Sequence, residues 1–266
     1  MKKIITAIMA AASLLITLTL TGCSQKDSNQ LVMATNAEFP PFEYVNSQGE
    51  FEGIDIEIAE AIAEKLGKSL KIENMRFEDI LDGVQADRYD FGMAAMTVKP
   101  DRMEKVAFSN TYAKGVQVVI VKADSGYSKF EEFYESFDTD GNPAQIKGGI
   151  KIGVQKGTTG ESYSSADPID WGFGSNNVAK YESGEEAIKA LIDGKITAVI
   201  IDNEPAKAFV KENEGLVILK GAYTDEDYAI CVGKDNSELL GQINRAVAEL
   251  QEDGTIDDIL DKYIKS

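Results

Sequence analysis

The chain has no histidine and only two cysteines. Without an imidazole, most nucleophile–base pairs and most zinc sites are excluded. One cysteine, Cys23, lies near the start and the other, Cys231, sits in the apolar stretch Tyr228-Ala229-Ile230-Cys231-Val232. Neither a disulfide framework nor a redox pair is expected from them, and Cys231 reads as a small buried hydrophobe. Basic residues are scarce as well: 27 Lys and Arg stand against 45 Asp and Glu, a net charge of −18. A surface of that sign repels nucleic acid and anionic headgroups while keeping a protein soluble and monomeric. The expectation is a monomer with no nucleic-acid partner and no metal.

What is present begins with a targeting pattern. Lys2 and Lys3 precede an apolar run from Ile4 to Leu20, which ends in Leu20-Thr21-Gly22-Cys23. A positive start, an apolar stretch and small residues before a cleavage point make a secretion signal over residues 1–22. Leu-Thr-Gly-Cys resembles the bacterial lipobox, which implies cleavage before Cys23 and acylation of its thiol. The alternative is an uncleaved anchor, since the run approaches the roughly 20 residues that span a bilayer. Either way the remainder is expected outside the cytoplasm at the cell membrane, tethered by the polar segment 23–30.

About 240 residues follow the signal, room for two lobes. Leu31 to Thr35 reads as a strand, and Ile54, Ile58, Ile62 and Leu66 recur every four residues on the helix after it. Strand 70–72, helix 77–86 and strand 91–95 repeat the theme; strand 151–154, helix 183–193 and strand 198–201 begin a second set. Such alternation predicts an α/β fold with mainly parallel sheet. Ser183 and Glu186 fit a capping box at one helix start. Apolar strands at 115–122 and 227–233 read as paired hinges, and the tail reads as two helices broken near Asp253-Gly254 that return to the first lobe. The predicted lobes are therefore 31–116 with 226–266, and 117–225. The segment 125–149 reads as a surface helix and loop.

In a two-lobed α/β protein, ligands bind at the carboxyl ends of the strands. Five places qualify. Asn36 to Glu43 follows the first strand, where Phe39 is either a flat wall for a ligand or core, and Phe42 is core. In Gly53-Ile54-Asp55, Ile54 can face the crevice and Asp55 suits a helix cap. Ala94-Ala95-Met96-Thr97 to Arg102 ends a strand and opens a short helix, an outline of an anion site. There Arg102 either meets a carboxylate with its planar fork or pairs on the surface with Asp101 or Glu104. Gln155-Lys156-Gly157-Thr158-Thr159-Gly160 resembles a nest of amides but lacks the Gly-Lys-Ser/Thr spacing of a nucleotide loop, so no cofactor is expected. Asp202 follows a strand and either accepts an ammonium or caps the next helix. One anion receptor and one cation receptor facing each other complement an α-amino acid zwitterion.

On these motifs, together with Ile201-Asp202 and Asp253-Gly254-Thr255, the chain resembles the amino-acid-binding solute receptors of bacterial ATP-driven importers over about Leu31 to Ile264. The resemblance implies a two-lobed periplasmic-binding-protein-like fold, an importer permease as partner, and hinge closure on a polar amino acid. It implies that Arg102 clamps the ligand carboxylate with Thr97 and Thr158, that Asp202 binds the ammonium, that Phe39 stacks on the side chain, and that Ala95 offers its carbonyl. Relatives binding cationic side chains often carry aspartate where this chain has Asn36 and an aromatic where it has Ile54, which tilts the expectation toward a neutral polar ligand. Glu38, if turned inward, would favour a basic one. The competing readings are an enzyme on the same fold, with Asp202 or Glu38 as base, and a sensory receptor.

Overall fold

The computed structural model describes residues 29–264, so the signal segment and Cys23 lie outside the described residues. Strand β1 (Gln30–Thr35) leads into a three-stranded sheet of β2 (Glu38–Phe39), β3 (Glu43–Val45) and β4 (Phe51–Glu52), and then into α1 (Ile54–Lys65). Gly53 sits at φ 132°, and a Cβ there would lie 2.3 Å from the Phe42 carbonyl oxygen. Only glycine lets the Pro40-Pro41-Phe42 turn press this closely on the start of α1. Helix α1 buries Ile54, Ile58 and Ile62 on one face. β5 (Ser69–Asn74), α2 (Phe77–Gln85), β6 (Phe91–Gly92) and the single turn α3 (Pro100–Met103) complete this part.

Two long strands cross the middle of the molecule. The first, β7 (Val106–Lys122), runs nine residues further toward the N-terminus than its apolar half predicts, because it stays paired with β14 (Thr224–Gly233) from Gln117 back to Val106 through two register shifts across 108–113. Between them in sequence lie β8 (Tyr134–Phe137), β9 (Pro143–Ile146), β10 (Ile152–Gln155), α4 (Thr159–Ser164), β11 (Val178–Tyr181), α5 (Gly184–Ile192), β12 (Ala198–Asp202), α6 (Asn203–Glu212) and β13 (Leu216–Ile218). The chain ends in α7 (Ser237–Glu252) and α8 (Thr255–Ile264), which pack on α1. Gly254, at φ 84°, separates the two helices, and Asp253 accepts the Thr255 amide at 3.1 Å to start the second.

One nine-stranded sheet runs in the order β11-β10-β12-β7-β14-β6-β1-β5, with β13 added on β7. Its ends are parallel: β5, β1 and β6 at one, β11, β10 and β12 at the other. The antiparallel pair β7 and β14 joins them, so the chain crosses between the two halves there. The expected α/β alternation is present in both halves.

The segment 125–149 differs from its expected helix and loop. It holds a 3-10 turn at 130–133 and the hairpin β8–β9, and Phe133 and Tyr134 are buried. Tyr134 stacks on Phe173 at 5.3 Å, so the aromatics that looked superficial belong to the core of the second half. Strand β6 stops at Gly92, short of the expected Ala95, because Ala95 turns into the left-handed region at φ 44°. At Ser183 the capping hydroxyl accepts the Glu186 amide at 3.2 Å, while the Glu186 carboxylate reaches the amide of Glu182.

Candidate functional site

The bend after β6 is held from below by Asp55. Its Oδ2 accepts the Ala95 amide at 2.7 Å and its Oδ1 accepts the Tyr112 hydroxyl at 2.8 Å. Asp55 therefore does not cap its own helix, as its position suggested; it fixes a left-handed alanine, a conformation that costs an L-residue roughly 1–2 kcal/mol. The chain then delivers Thr97 and Arg102 to the cleft. Arg102 is only 5% exposed. One guanidinium nitrogen donates to the Thr97 carbonyl at 2.9 Å and another to the Gly157 carbonyl at 3.2 Å, while its Cζ stands 5.4 Å from the Phe77 ring. No carboxylate of the described residues lies within ion-pairing distance, and neither Asp101 nor Glu104 takes it at the surface. Burial lowers its pKa. A buried guanidinium with only carbonyl partners is under-compensated and is an electrostatic receptor for a carboxylate.

The facing wall comes from the other half. Gln155, at the end of β10, donates to Asn36 Oδ1 at 2.8 Å and to the Glu182 carbonyl at 3.2 Å; Asn36 in turn donates to the Met75 carbonyl at 2.9 Å. Thr158 caps α4 by accepting the Glu161 amide, and its hydroxyl donates to the Gln155 carbonyl. The Gly157 amide goes to Glu161 Oε2 at 2.7 Å, so the expected nest is already occupied by the protein's own carboxylate. Thr159 Oγ1 accepts from Gln117. Outside the cleft the halves also meet through Lys156 with Glu78 at 2.9 Å and Lys99 with Ser162 at 2.7 Å.

Asp202, 8% exposed at the end of β12, makes no capping bond to α6; its Oδ1 accepts the Tyr228 hydroxyl. Burial, and after it the neighbouring Glu226, push its pKa up to about 8. Glu226 Oε2 accepts from Thr97 Oγ1 at 3.0 Å and from Gln117 at 3.1 Å, and its Oε1 is buried without a partner. Glu43, 1% exposed, faces the same space, and neither of its oxygens receives an N–H or hydroxyl bond. Burial and then the adjacent Asp55 raise its pKa well above the usual range, and burial pushes Asp55 itself up to about 7. Among the described residues the buried Asp, Glu, Lys and Arg side chains are Glu43, Asp55, Arg102, Asp202 and Glu226. All five gather here: four carboxyls around one guanidinium.

The two halves close on a small cavity of about 20 Å³. Asn36, Phe39, Ala94, Ala95, Thr97 and Arg102 line it from one half, and Gln155, Thr158, Thr159 and Asp202 from the other. Phe42 is buried beneath, edge-on to Tyr228. Three expected residues are not part of this lining. Ile54, fully buried at the start of α1, packs in the main core with Met33 and Phe91, because the first turn faces the sheet and not the cleft. Met96 is fully buried with Ile80 and Cys231, the side chain alternating away from its lining neighbours Ala95 and Thr97. Gly157 stands behind Arg102, against Glu78, and takes part through its carbonyl alone. Two lining residues were not expected, Phe77 and Glu43. Both have a positional signal: Phe77 opens the helix just after β5, and Glu43 ends the proline turn. Glu38, whose orientation decided the sign of the ligand in the sequence, is exposed and outside the cavity lining.

Among the described residues no group of His, Cys, Asp or Glu is placed to hold a metal ion, and no helix is long and apolar enough to cross a membrane. Residues 31–266 match the model of the bacterial extracellular solute-binding proteins, family 3. The arginine-binding extracellular protein ArtP of Bacillus subtilis (strain 168) is 27% identical over 99% of this chain and 98% of its own. An ancestral arginine-binding protein solved with glutamine bound is 34% identical, with a TM-score of 0.77 over 90% of this chain and 99% of that one. An ancestral amino-acid-binding protein, AncCDT-1, described as a precursor of cyclohexadienyl dehydratase, is 26% identical with a TM-score of 0.76 over 88% and 95%.

Proposed function

Because this chain belongs to the bacterial extracellular solute-binding proteins of family 3, we propose that it captures an amino acid with a cationic side chain, arginine foremost, by closing two lobes around it. The lobes in this reading are 31–116 with 226–266, and 117–225, hinged on β7 and β14. Arg102 takes the α-carboxylate, with Thr97 and Thr158 beside it. Asp202 takes the α-ammonium, and the side chain lies between Phe39 and Phe77 with its charge toward Glu43. The observation that carries the sign of the side chain is Glu43: a fully buried carboxyl facing the cavity with no donor on either oxygen. A zwitterion occupies one acid and one base; Glu43, which burial keeps from ionising in the empty cleft, gains a counter-charge only from a ligand with a further positive group. The amide at Asn36, which suggested a neutral ligand, is spent on Met75 and Gln155 and is silent on ligand charge.

Closure follows from where the partners sit. A ligand favours the closed form only through contacts the open form lacks. Arg102 and Glu43 belong to one lobe, Asp202 and Thr159 to the other, so Arg102 governs any binding and Asp202 governs the switch. The closed receptor then delivers its ligand to the permease of an ATP-driven importer, held on the outer face of the membrane through lipid on Cys23. The binding reading is favoured over catalysis because the similar proteins are named for binding, one of them also as the precursor of a dehydratase.

Thermal unfolding of the purified protein, screened against the twenty amino acids and cystine, tests this reading. A ligand of the folded state alone raises the midpoint. A rise with arginine, smaller with lysine and absent with glutamine and cystine, is expected. A rise confined to a neutral amino acid overturns the assignment of Glu43.

A further inference from the structure

A second cavity, of about 420 Å³, opens on the other half of the molecule. Phe130 and Glu131 come from the 3-10 turn, Tyr163 from α4, Asp170 and Trp171 from the loop after it, and Tyr223 from the approach to β14. Phe130 meets Trp171 at 5.7 Å and Tyr223 at 5.3 Å, both edge to face. Trp171 is fixed by its backbone: it sits at φ 63°, and its carbonyl accepts the hydroxyls of Tyr134 at 2.7 Å and Tyr223 at 2.6 Å. A bulky residue in the left-handed region is rare, and two tyrosines hold this one there. The charged residues of the lining are Glu131 and Asp170, with no lysine or arginine. Glu131 Oε2 is buried without a hydrogen-bond partner. Lys99 already stands 5.3 Å from the centre of the Tyr163 ring, so one wall of this space holds a cation in π geometry.

We propose that this cavity is a second ligand site, for a small organic cation of the alkylammonium or guanidinium class whose apolar body lies among Phe130, Trp171 and Tyr223 while its charge meets Glu131. Three observations converge. The volume suits a small molecule. Electron-rich rings attract cations, most strongly tryptophan. The Glu131 carboxylate, part of the lining, supplies a counter-charge. None of these residues lines the cavity between the halves.

Trp171 is the only tryptophan in the chain, so its fluorescence reports on this cavity directly. The test titrates the whole protein with choline and, separately, with its uncharged carbon isostere 3,3-dimethyl-1-butanol. The expected result is a saturable change with choline alone, retained in Arg102→Ala and several-fold weaker in Glu131→Gln. Glu131 is half-exposed and its amide is isosteric, so the variant keeps its fold, and an unchanged cleft-ligand response or far-ultraviolet spectrum verifies this. A non-saturable change, an equal response to the neutral isostere, or a Glu131→Gln titration identical to wild type overturns the proposal. Loss of the signal in Arg102→Ala would locate choline in the cleft and overturn it as well.

Discussion

Replacing Arg102 with methionine separates holding a ligand from holding the fold. The aliphatic stem is kept, while the planar fork, its charge and its position over the Phe77 ring are lost. Truncating one partner of a buried, hydrogen-bonded charge pair costs about 2–5 kcal/mol, so affinity for the amino acid should fall roughly 30-fold to several thousand-fold. Stability without ligand should change far less. The variant loses two bonds to the Thr97 and Gly157 carbonyls, each worth roughly 1.5–3 kcal/mol for a charged donor, but also relieves the desolvation of a guanidinium that no carboxylate balances. These oppose each other, leaving a net change of no more than about 2 kcal/mol. Titration calorimetry and urea unfolding measure the two quantities. An affinity loss below about tenfold would mean that the carboxylate is held elsewhere; a large loss of unliganded stability would mean that Arg102 is a structural strut.

Further outcomes follow from the same contacts. Asp202 and Asp55, raised to about 8 and about 7 by burial, bind protons in the folded chain that the unfolded chain has already released. Their contribution to unliganded stability should therefore be complete below about pH 4, where both states are protonated, and be lost as pH rises toward 8. The increment from a cationic ligand should grow over that window, and flat thermal midpoints between pH 5 and 8 would contradict this. Asn36→Ala leaves Gln155 short of an acceptor across the cleft, which should speed ligand release by roughly tenfold for a loss of about 1–2 kcal/mol, read by stopped flow; an unchanged off-rate would remove this pair from closure. Gly115→Ala places a Cβ 2.0 Å from the Tyr228 hydroxyl, forcing that ring off Asp202; a destabilisation of about 1–3 kcal/mol in urea together with weaker binding is expected, and intact affinity would mean that Tyr228 does not position Asp202.

The strand-end rule made Arg102, Asp202, Thr97 and Gln155 legible, because a residue following a strand in an α/β sheet is carried to the cleft whatever its neighbours are. Periodicity placed α1, α5 and the Gly254 break for the same local reason. What escaped depended on partners distant in sequence. Asp55 looks like a helix cap until Ala95 and Tyr112 arrive 40 and 57 residues later. Glu226 lies on a strand that read only as a hinge, and its bond to Thr97 spans 129 residues. Phe77 and Ile54 fell to one ambiguity: an apolar residue opening a helix faces either core or cavity, and spacing alone does not separate the two.

The most direct test of the central claim compares arginine with citrulline, which replaces the guanidinium by an uncharged urea of nearly the same shape, in wild type and in Glu43→Gln. Calorimetry should find arginine the tighter ligand by roughly tenfold or more in wild type, the value of a desolvated charge-assisted bond, with the gap mostly closed in the variant. Equal affinities in wild type, or a gap untouched by Glu43→Gln, would contradict the assignment of this cleft to a cationic amino acid held by Glu43.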